Sequence, residues 1–396
     1  MSKLGLCYLT NTSSAVEPFV DSLECSCQIM TAVASSQAQL EASVSMPESQ
    51  PNDPRLTEDL TEQKSRSVIP YLLETSPEFR GLRDGWETPE GDIYFANLRR
   101  NADKSDKKTA AYFFKSMKAV GREIDNATNA FKVQQIDSTP PAILDMCMAP
   151  GAFLEIALKK NPGSHALAFS LPVSCGGYRS HLASGLNAER AFLDVTMLAA
   201  DMDMDQIPEG HEDAENFLPR QLEEGRLFDL IICDGQVLRQ HSRAPYRESR
   251  EATRLAITQL ALGLEHIRSG GTMIVLLHRL EAWKTVNLIR TFHKISSVRL
   301  FKPNQGHAKR SSFYMVATNV QSQNPEAIEA VKRWKRIWRS ATFASDEEYG
   351  KVILDEDPSV EALLEDFGPK LVKLGKAIWK TQASALAKAP FMKKSE

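Results

Sequence analysis

What this sequence withholds narrows its reading before any motif is considered. It has six cysteines among 396 residues, and Cys25-Ser26-Cys27 has no second pair at zinc-ligand spacing, so no metal centre is expected. Cys147 and Cys233 sit inside apolar runs, where a buried free thiol is the ordinary arrangement, so a reducing compartment is expected. No apolar run reaches membrane-spanning length, and the first residues lack the charged start and apolar core of a secretory signal. An intracellular protein, cytoplasmic or nuclear and away from the membrane, is therefore expected. A positive surplus is also missing. The 48 Lys+Arg against 51 Asp+Glu leave a net charge of −3, which does not describe a surface coated for nucleic acid, although a local basic patch remains compatible with it.

Residues 10–66 are rich in Ser, Ala, Glu, Gln and Pro with little periodicity, and residues 1–66 are expected to be largely disordered. A helical lead-in is expected over 67–140. Its clearest piece is "KKTAAYFFKSMKAVGREIDNATNAF", which brings Tyr112, Phe113, Met117 and Val120 near one face. From 141 to 320 the rhythm changes to short apolar runs alternating with helical segments. Strands are expected at 142–145, 166–170, 191–193, 230–234, 272–277, 297–301 and 313–318, with helices at 152–160, 177–185, 247–268 and 282–294. Nearly continuous apolar strands separated by helices indicate an α/β, Rossmann-like, seven-stranded and mostly parallel sheet with helices on both faces. The last two strands are joined only by "KPNQGHAKRSS", too short for a helical crossover, so the last strand is expected to run antiparallel as an edge strand. Residues 321–396 form a helical extension. In it "VKRWKRIWR" is expected to be an amphipathic helix, both Trp packed on the sheet domain and its charges in water.

In an open α/β sheet, ligands bind beyond the carboxyl ends of the strands. The first strand ends in "DMCMAPGAF", placing Asp145, Ala149, Gly151, Ala152 and Phe153 where a turn meets a helix N-terminus with free N–H groups. The second strand closes at Ser170, the third at Asp194 and the fourth, "FDLIICDGQ", at Asp234, before Gly-Gly opens a fifth, "GGTMIVLLH". Acids closing strands 3 and 4 beside such a turn suit an adenosyl group, with one carboxylate for the adenine amino group and a second near the methyl donor. No G-x-G-x-x-G fingerprint is present and no acid ends strand 2, which disfavours a dinucleotide enzyme.

These residues resemble a family. "LDMCMAPGAF", "FDLIICDGQ", "GGTMIVLL" and "RLFKP…RSSFYMVA" are similar to the FtsJ/RrmJ-type S-adenosylmethionine-dependent ribose 2′-O-methyltransferases, in particular divergent fungal-type members. The resemblance implies the class I methyltransferase architecture and S-adenosylmethionine as cofactor. It carries cofactor contacts onto Asp145, Ala149, Gly151, Ala152, Phe153, Ser170, Asp194 and Asp234. Ala152 stands where the family has a second Gly, and Ser170 where it has an acid for the ribose hydroxyls.

The family's catalytic Lys-Asp-Lys-Glu set is carried over only in part. A ribose hydroxyl is a very weak acid, so its proton must go to a lysine of lowered pKa. Lys115 matches the first lysine and Asp234 the aspartate, but Leu276 and Ser312 occupy the other two positions. His278 is a replacement base if its strand delivers it to the pocket, and Arg279 a holder for a phosphate or an orienting carboxylate. The methyl acceptor is RNA or a small molecule, and a non-catalytic binding module is the alternative in another class. Oligomeric state is not legible. Basic groups to weigh for RNA are Lys302, His307, Lys309 and Arg310, then 332–339. The acidic stretch 201–216 is expected near the pocket mouth, where it would repel RNA.

Overall fold

The computed structural model describes residues 55–83, 91, 93–94, 96–97, 107–133, 139–354, 358–389 and 391. Seven strands, β1 (Ala142–Asp145), β2 (His165–Ser170), β3 (Ala188–Phe192), β4 (Phe228–Cys233), β5 (Ile267–His278), β6 (Ser297–Phe301) and β7 (Ser312–Val320), form one sheet. Their order is β3-β2-β1-β4-β5-β7-β6. Pairing is parallel from β3 across to β5, and β7 runs antiparallel to both β5 and β6. This is the class I methyltransferase sheet. The short β6–β7 connection makes the expected hairpin, but the reversed strand is not at the edge. β7 inserts between β5 and β6, because its run from Phe313 to Ala317 is apolar and fully buried, fit for pairing on both sides.

Side chains alternate along the strands with period two, and each face builds its own core. Leu144, Ile231, Met273, Val275, Phe313 and Met315 face one layer, while Ile143, Leu230, Ile232, Ile274, Tyr314 and Val316 face the other. The second layer is closed by α3 (Lys107–Thr128) and α4 (Ala152–Lys160), through Met117, Val120, Ile124, Phe153 and Leu154. The first is closed by α1 (Arg55–Thr75), α2 (Pro77–Arg83), α5 (Glu251–His266), α6 (Trp283–Ile295), α7 (Pro325–Phe343) and α9 (Val360–Leu386), while α8 (Asp346–Leu354) adds Val352 and Ile353 at its margin. Phe79 of α2 meets Trp379 of α9 edge-on at 5.2 Å. The lead-in and the C-terminal helices therefore share the sheet's core. Trp334 and Trp338 are buried as expected.

Three expectations are corrected. Helix begins at Arg55, so residues 55–66 are not disordered; residues 1–54 lie outside the described residues. No helix forms over 177–185. A Cβ at Gly177 would stand 1.9 Å from the Leu171 carbonyl oxygen, and this close approach turns the chain into an irregular cover for the β1 turn. The acidic stretch 201–216 lies against α7 instead of the pocket mouth: Lys335 donates to Asp203 at 3.0 Å, and Asp201 takes the Leu222 N–H at 2.8 Å.

Candidate active site

The carboxyl ends of β1, β2 and β4, with the turns following β3 and β4, converge on one cavity. Its wall includes Asp145, Ala149, Ala152, Phe153, Ser170, Asp194 and Asp234. The turn after β1 is tied to its neighbours on both sides: Met146 N–H donates to the Ile232 carbonyl at 3.0 Å and Met148 N–H to the Phe169 carbonyl at 2.8 Å. Gly151 begins α4 in the left-handed region, φ 101°, and an added Cβ would lie 3.1 Å from Leu182 Cβ, so glycine is required there. On the opposite wall Gln259 of α5 clamps Gly235, taking its N–H at 2.8 Å and donating to its carbonyl at 3.3 Å.

Asp145 is buried and Asp234 half-buried on the cavity wall. Asp145 accepts the Cys147 N–H at 3.2 Å, but burial dominates and pushes it up to about 7. Burial and the neighbouring Asp145 push Asp234 up to about 8, against the pull of the Tyr314 hydroxyl, which donates to it at 2.9 Å. Burial likewise pushes the thiols of Cys147 and Cys233 up, so neither is a thiolate nucleophile at neutral pH.

Asp194 behaves in the opposite way. Burial works to raise it, but the His241 hydrogen bond and the Arg247 guanidinium prevail and hold its carboxyl well below the usual carboxylate range. Its Oδ1 takes the N–H and hydroxyl of Thr196 at 3.0 and 2.8 Å; its Oδ2 takes Arg247 at 2.6 Å and lies 3.2 Å from His241 Nε2. A carboxylate has about four acceptor positions, so its own neighbours already fill the group expected to receive the adenine amino hydrogens. Arg247 also donates to Glu251 at 2.6 and 3.0 Å. Glu251 is buried and accepts from Arg254 at 3.1 Å, and Arg254 reaches the Thr196 carbonyl at 2.9 Å. Trp338 of α7 donates to that same carbonyl at 3.1 Å, so the C-terminal extension buttresses this turn. Ligand atoms of Asp194, His241 and Glu251 lie within 4.8 Å of one another. The Arg247 guanidinium is the cation that pairs with two of them, Asp194 and Glu251. Of this network the sequence reading held only Asp194. The 4-and-3 spacing of Arg247, Glu251 and Arg254 on one helical face was its one legible signal.

The expected catalytic residues fare unevenly. Lys115 is exposed, and α3 presents Phe113, Met117 and Val120 to the cavity instead. With those residues on the inner face, 100° per residue turns Lys115 away from the cavity. His278 lies behind the wall, its Nε2 2.9 Å from Gln236 Nε2. Arg279 pairs with Glu62 at 3.3 Å and Glu281 at 3.5 Å. Leu276 does face the cavity, opposite Tyr314 in the β5–β7 register. The β6–β7 hairpin, weighed in the sequence only as a source of basic groups for RNA, contributes Gly306, His307 and Arg310 to the wall.

Residues 122–320 match the sequence profile of the FtsJ-like methyltransferases. The chain belongs to that family. S-adenosylmethionine is accordingly its cofactor, and the residues present fit it. The left-handed turn at Gly151, Ser170 at the end of β2, and the apolar side chains of Leu193, Val195 and Leu238 would hold it. Among solved structures the FtsJ-like chain is similar to human methyltransferase-like protein 13 in complex with SAH (12% identity, TM-score 0.29, 57% of this chain and 89% of that one). It is also similar to N-methyltransferase NodS from Bradyrhizobium japonicum WM9 (14%, 0.31, 52% and 97%), and to an rRNA methylase from Streptococcus thermophilus (13%, 0.26, 51% and 97%). Likenesses this distant say nothing about the acceptor. No curated protein matches the chain.

Proposed function

We propose that the chain is an S-adenosylmethionine-dependent methyltransferase whose acceptor is a small molecule, not an RNA ribose. The observation that carries this reading is the composition of the cavity's acceptor end. Leu276 and Ser312 stand where the ribose chemistry needs a lysine and a glutamate, and Lys115 is turned to solvent. Among the described residues no lysine lines this cavity, so none of them supplies the strong base a ribose hydroxyl requires.

Three of the four hairpin cations are also withdrawn from the surface an RNA would meet. Lys302, His307 and Arg310 are buried, with Lys302 donating to the Ser312 carbonyl at 2.8 Å. Lys335 of the basic helix is buried between Asp203 and Glu265. The bound cofactor would supply an already activated methyl group, so the protein's part is to align the acceptor and exclude water, and proximity provides much of the acceleration.

Titration calorimetry with S-adenosylmethionine, followed by transfer of labelled methyl to total RNA and to a small-molecule extract, tests the proposal. Binding and label in the small-molecule fraction are expected. Absence of binding sinks the enzyme reading, and label confined to RNA sinks the acceptor class.

A further inference from the structure

His307 is a buried imidazole on the cavity wall that the family's chemistry does not use. Its Nδ1 lies 2.7 Å from Ser312 Oγ, and its ring meets Tyr314 edge-on at 5.4 Å. Nε2 has no hydrogen-bond partner among the described residues.

The hairpin that carries it is held at both ends. Glu123 of α3 takes the N–H groups of Asn304 at 2.7 Å and Gln305 at 3.1 Å, while Lys302 donates to the carbonyls of Arg310 and Ser312. Buried Arg310 lines the same cavity, as do the apolar side chains of Phe113 and Met117 of α3.

We infer that His307 Nε2 receives the acceptor's proton, and that the acceptor is an acidic hydroxyl, a phenol or enol, lying between the hairpin and the apolar face of α3. This rests on the methyltransferase reading above. With Nδ1–H donating to Ser312 Oγ, the Nε2 lone pair is directed away from the hairpin core. The acceptor oxygen forms its new bond to the methyl carbon as the carbon–sulfur bond breaks. The electron pair of that bond stays on sulfur, the hydroxyl proton passes to Nε2, and the imidazolium then releases it to solvent.

The charges around His307 select the acceptor. Burial, then Arg310, Lys302 and His278, hold the imidazole well below its ordinary range, and the Tyr314 hydroxyl beside it is committed to Asp234. A base this weak is neutral at neutral pH but cannot take the proton of an aliphatic alcohol. A phenol, at about 10, lies closer to it than an aliphatic alcohol does, so its proton passes to Nε2 only as the methyl transfer proceeds, with Arg310 supporting the oxyanion as it forms.

Histidine-selective nitrogen NMR on the full chain, with His307 assigned through H307Q, gives a readout independent of turnover. His307 is expected to be neutral at neutral pH with its proton on Nδ1. A proton on Nε2 overturns the inference. In parallel, p-cresol and cyclohexanol serve as probe acceptors of similar size. Transfer to p-cresol alone is expected, reduced about 100-fold or more in H307Q and about 10-fold in S312A, where the orienting contact is lost. Calorimetric affinity for S-adenosylmethionine should stay unchanged in both variants. A parent that binds the cofactor but methylates cyclohexanol as well as p-cresol, or neither, overturns the acceptor class, as does undiminished transfer in H307Q the role of the base. A parent that does not bind the cofactor fails the methyltransferase reading instead, with the tautomer still measured.

Discussion

Replacing Asp234 by Asn should make the protein less sensitive to alkali, and the size of the effect follows from its surroundings. The residue is half-buried and near Asp145, and desolvation pushes its carboxyl up to about 8 despite the Tyr314 hydroxyl at 2.9 Å. In the unfolded chain it returns to about 4. The folded state therefore keeps a proton that the unfolded state gives up between these two values. Stability from this group is fully present below about pH 4 and declines as pH rises toward about 8, by about 1.4 kcal/mol per pH unit. Across two pH units inside that window, from about 5.5 to about 7.5, the parent should lose about 2–3 kcal/mol through Asp234 alone. Asparagine has nearly the same shape, its amide oxygen still accepts from Tyr314, and it carries no charge to bury. Urea unfolding followed by tryptophan fluorescence at the two pH values measures the difference, and contributions shared by parent and variant cancel on subtraction. The D234N variant should retain most of what the parent loses. If the two stabilities fall in parallel with pH, Asp234 is ionised in the folded protein and the reasoning is refuted.

R247M leaves the half-buried Asp194 carboxylate without its guanidinium and the buried Glu251 with Arg254 alone and should cost about 3–5 kcal/mol in denaturant unfolding; a cost below about 1 kcal/mol would show that the ion network is dispensable. G151A forces a side chain into φ 101° against Leu182. It should cost about 1–2 kcal/mol and weaken S-adenosylmethionine binding in calorimetry, whereas unchanged affinity would detach the turn from the cofactor. K115A removes an exposed lysine off the cavity wall, so affinity and methyl transfer should equal those of the parent, and a loss of transfer would reinstate the ribose mechanism.

The sheet was legible because its strands are short apolar runs with clear boundaries: β1 at 142–145 and α4 at 152–160 fall where the pattern puts them. The pattern failed where tertiary contact overrides local periodicity. Residues 177–185 carry helical spacing, yet Gly177 packs against the Leu171 carbonyl and His181 N–H donates to the Pro150 carbonyl at 2.9 Å. The strand-end acids were legible as positions, but their states were not. Asp194 is spoken for by Arg247, more than fifty residues away in sequence, and Asp145 and Asp234 stay near neutrality only because the sheet buries them. His307 looked like one cation in a basic turn because the partners that bury and orient it, Glu123 on α3 through the Asn304 and Gln305 amides and Ser312 on β7, arrive only with the fold.

The two departures from the catalytic set are also linked physically. In the β5–β7 register, Leu276 lies opposite Tyr314 and His278 opposite Ser312, so positions 276 and 312 share one face of the sheet. A lysine at 276 would place an ammonium beside Asp234 and keep that carboxyl ionised. With Leu276 there, burial prevails, Asp234 is protonated through neutral pH, and Tyr314 occupies its free oxygen instead of a cation. A glutamate at 312 would put a carboxylate against His307 Nδ1 and raise the imidazole, whereas the serine hydroxyl orients the ring without charging it. Leu276 and Ser312 thus act in one direction: both remove charge from this face.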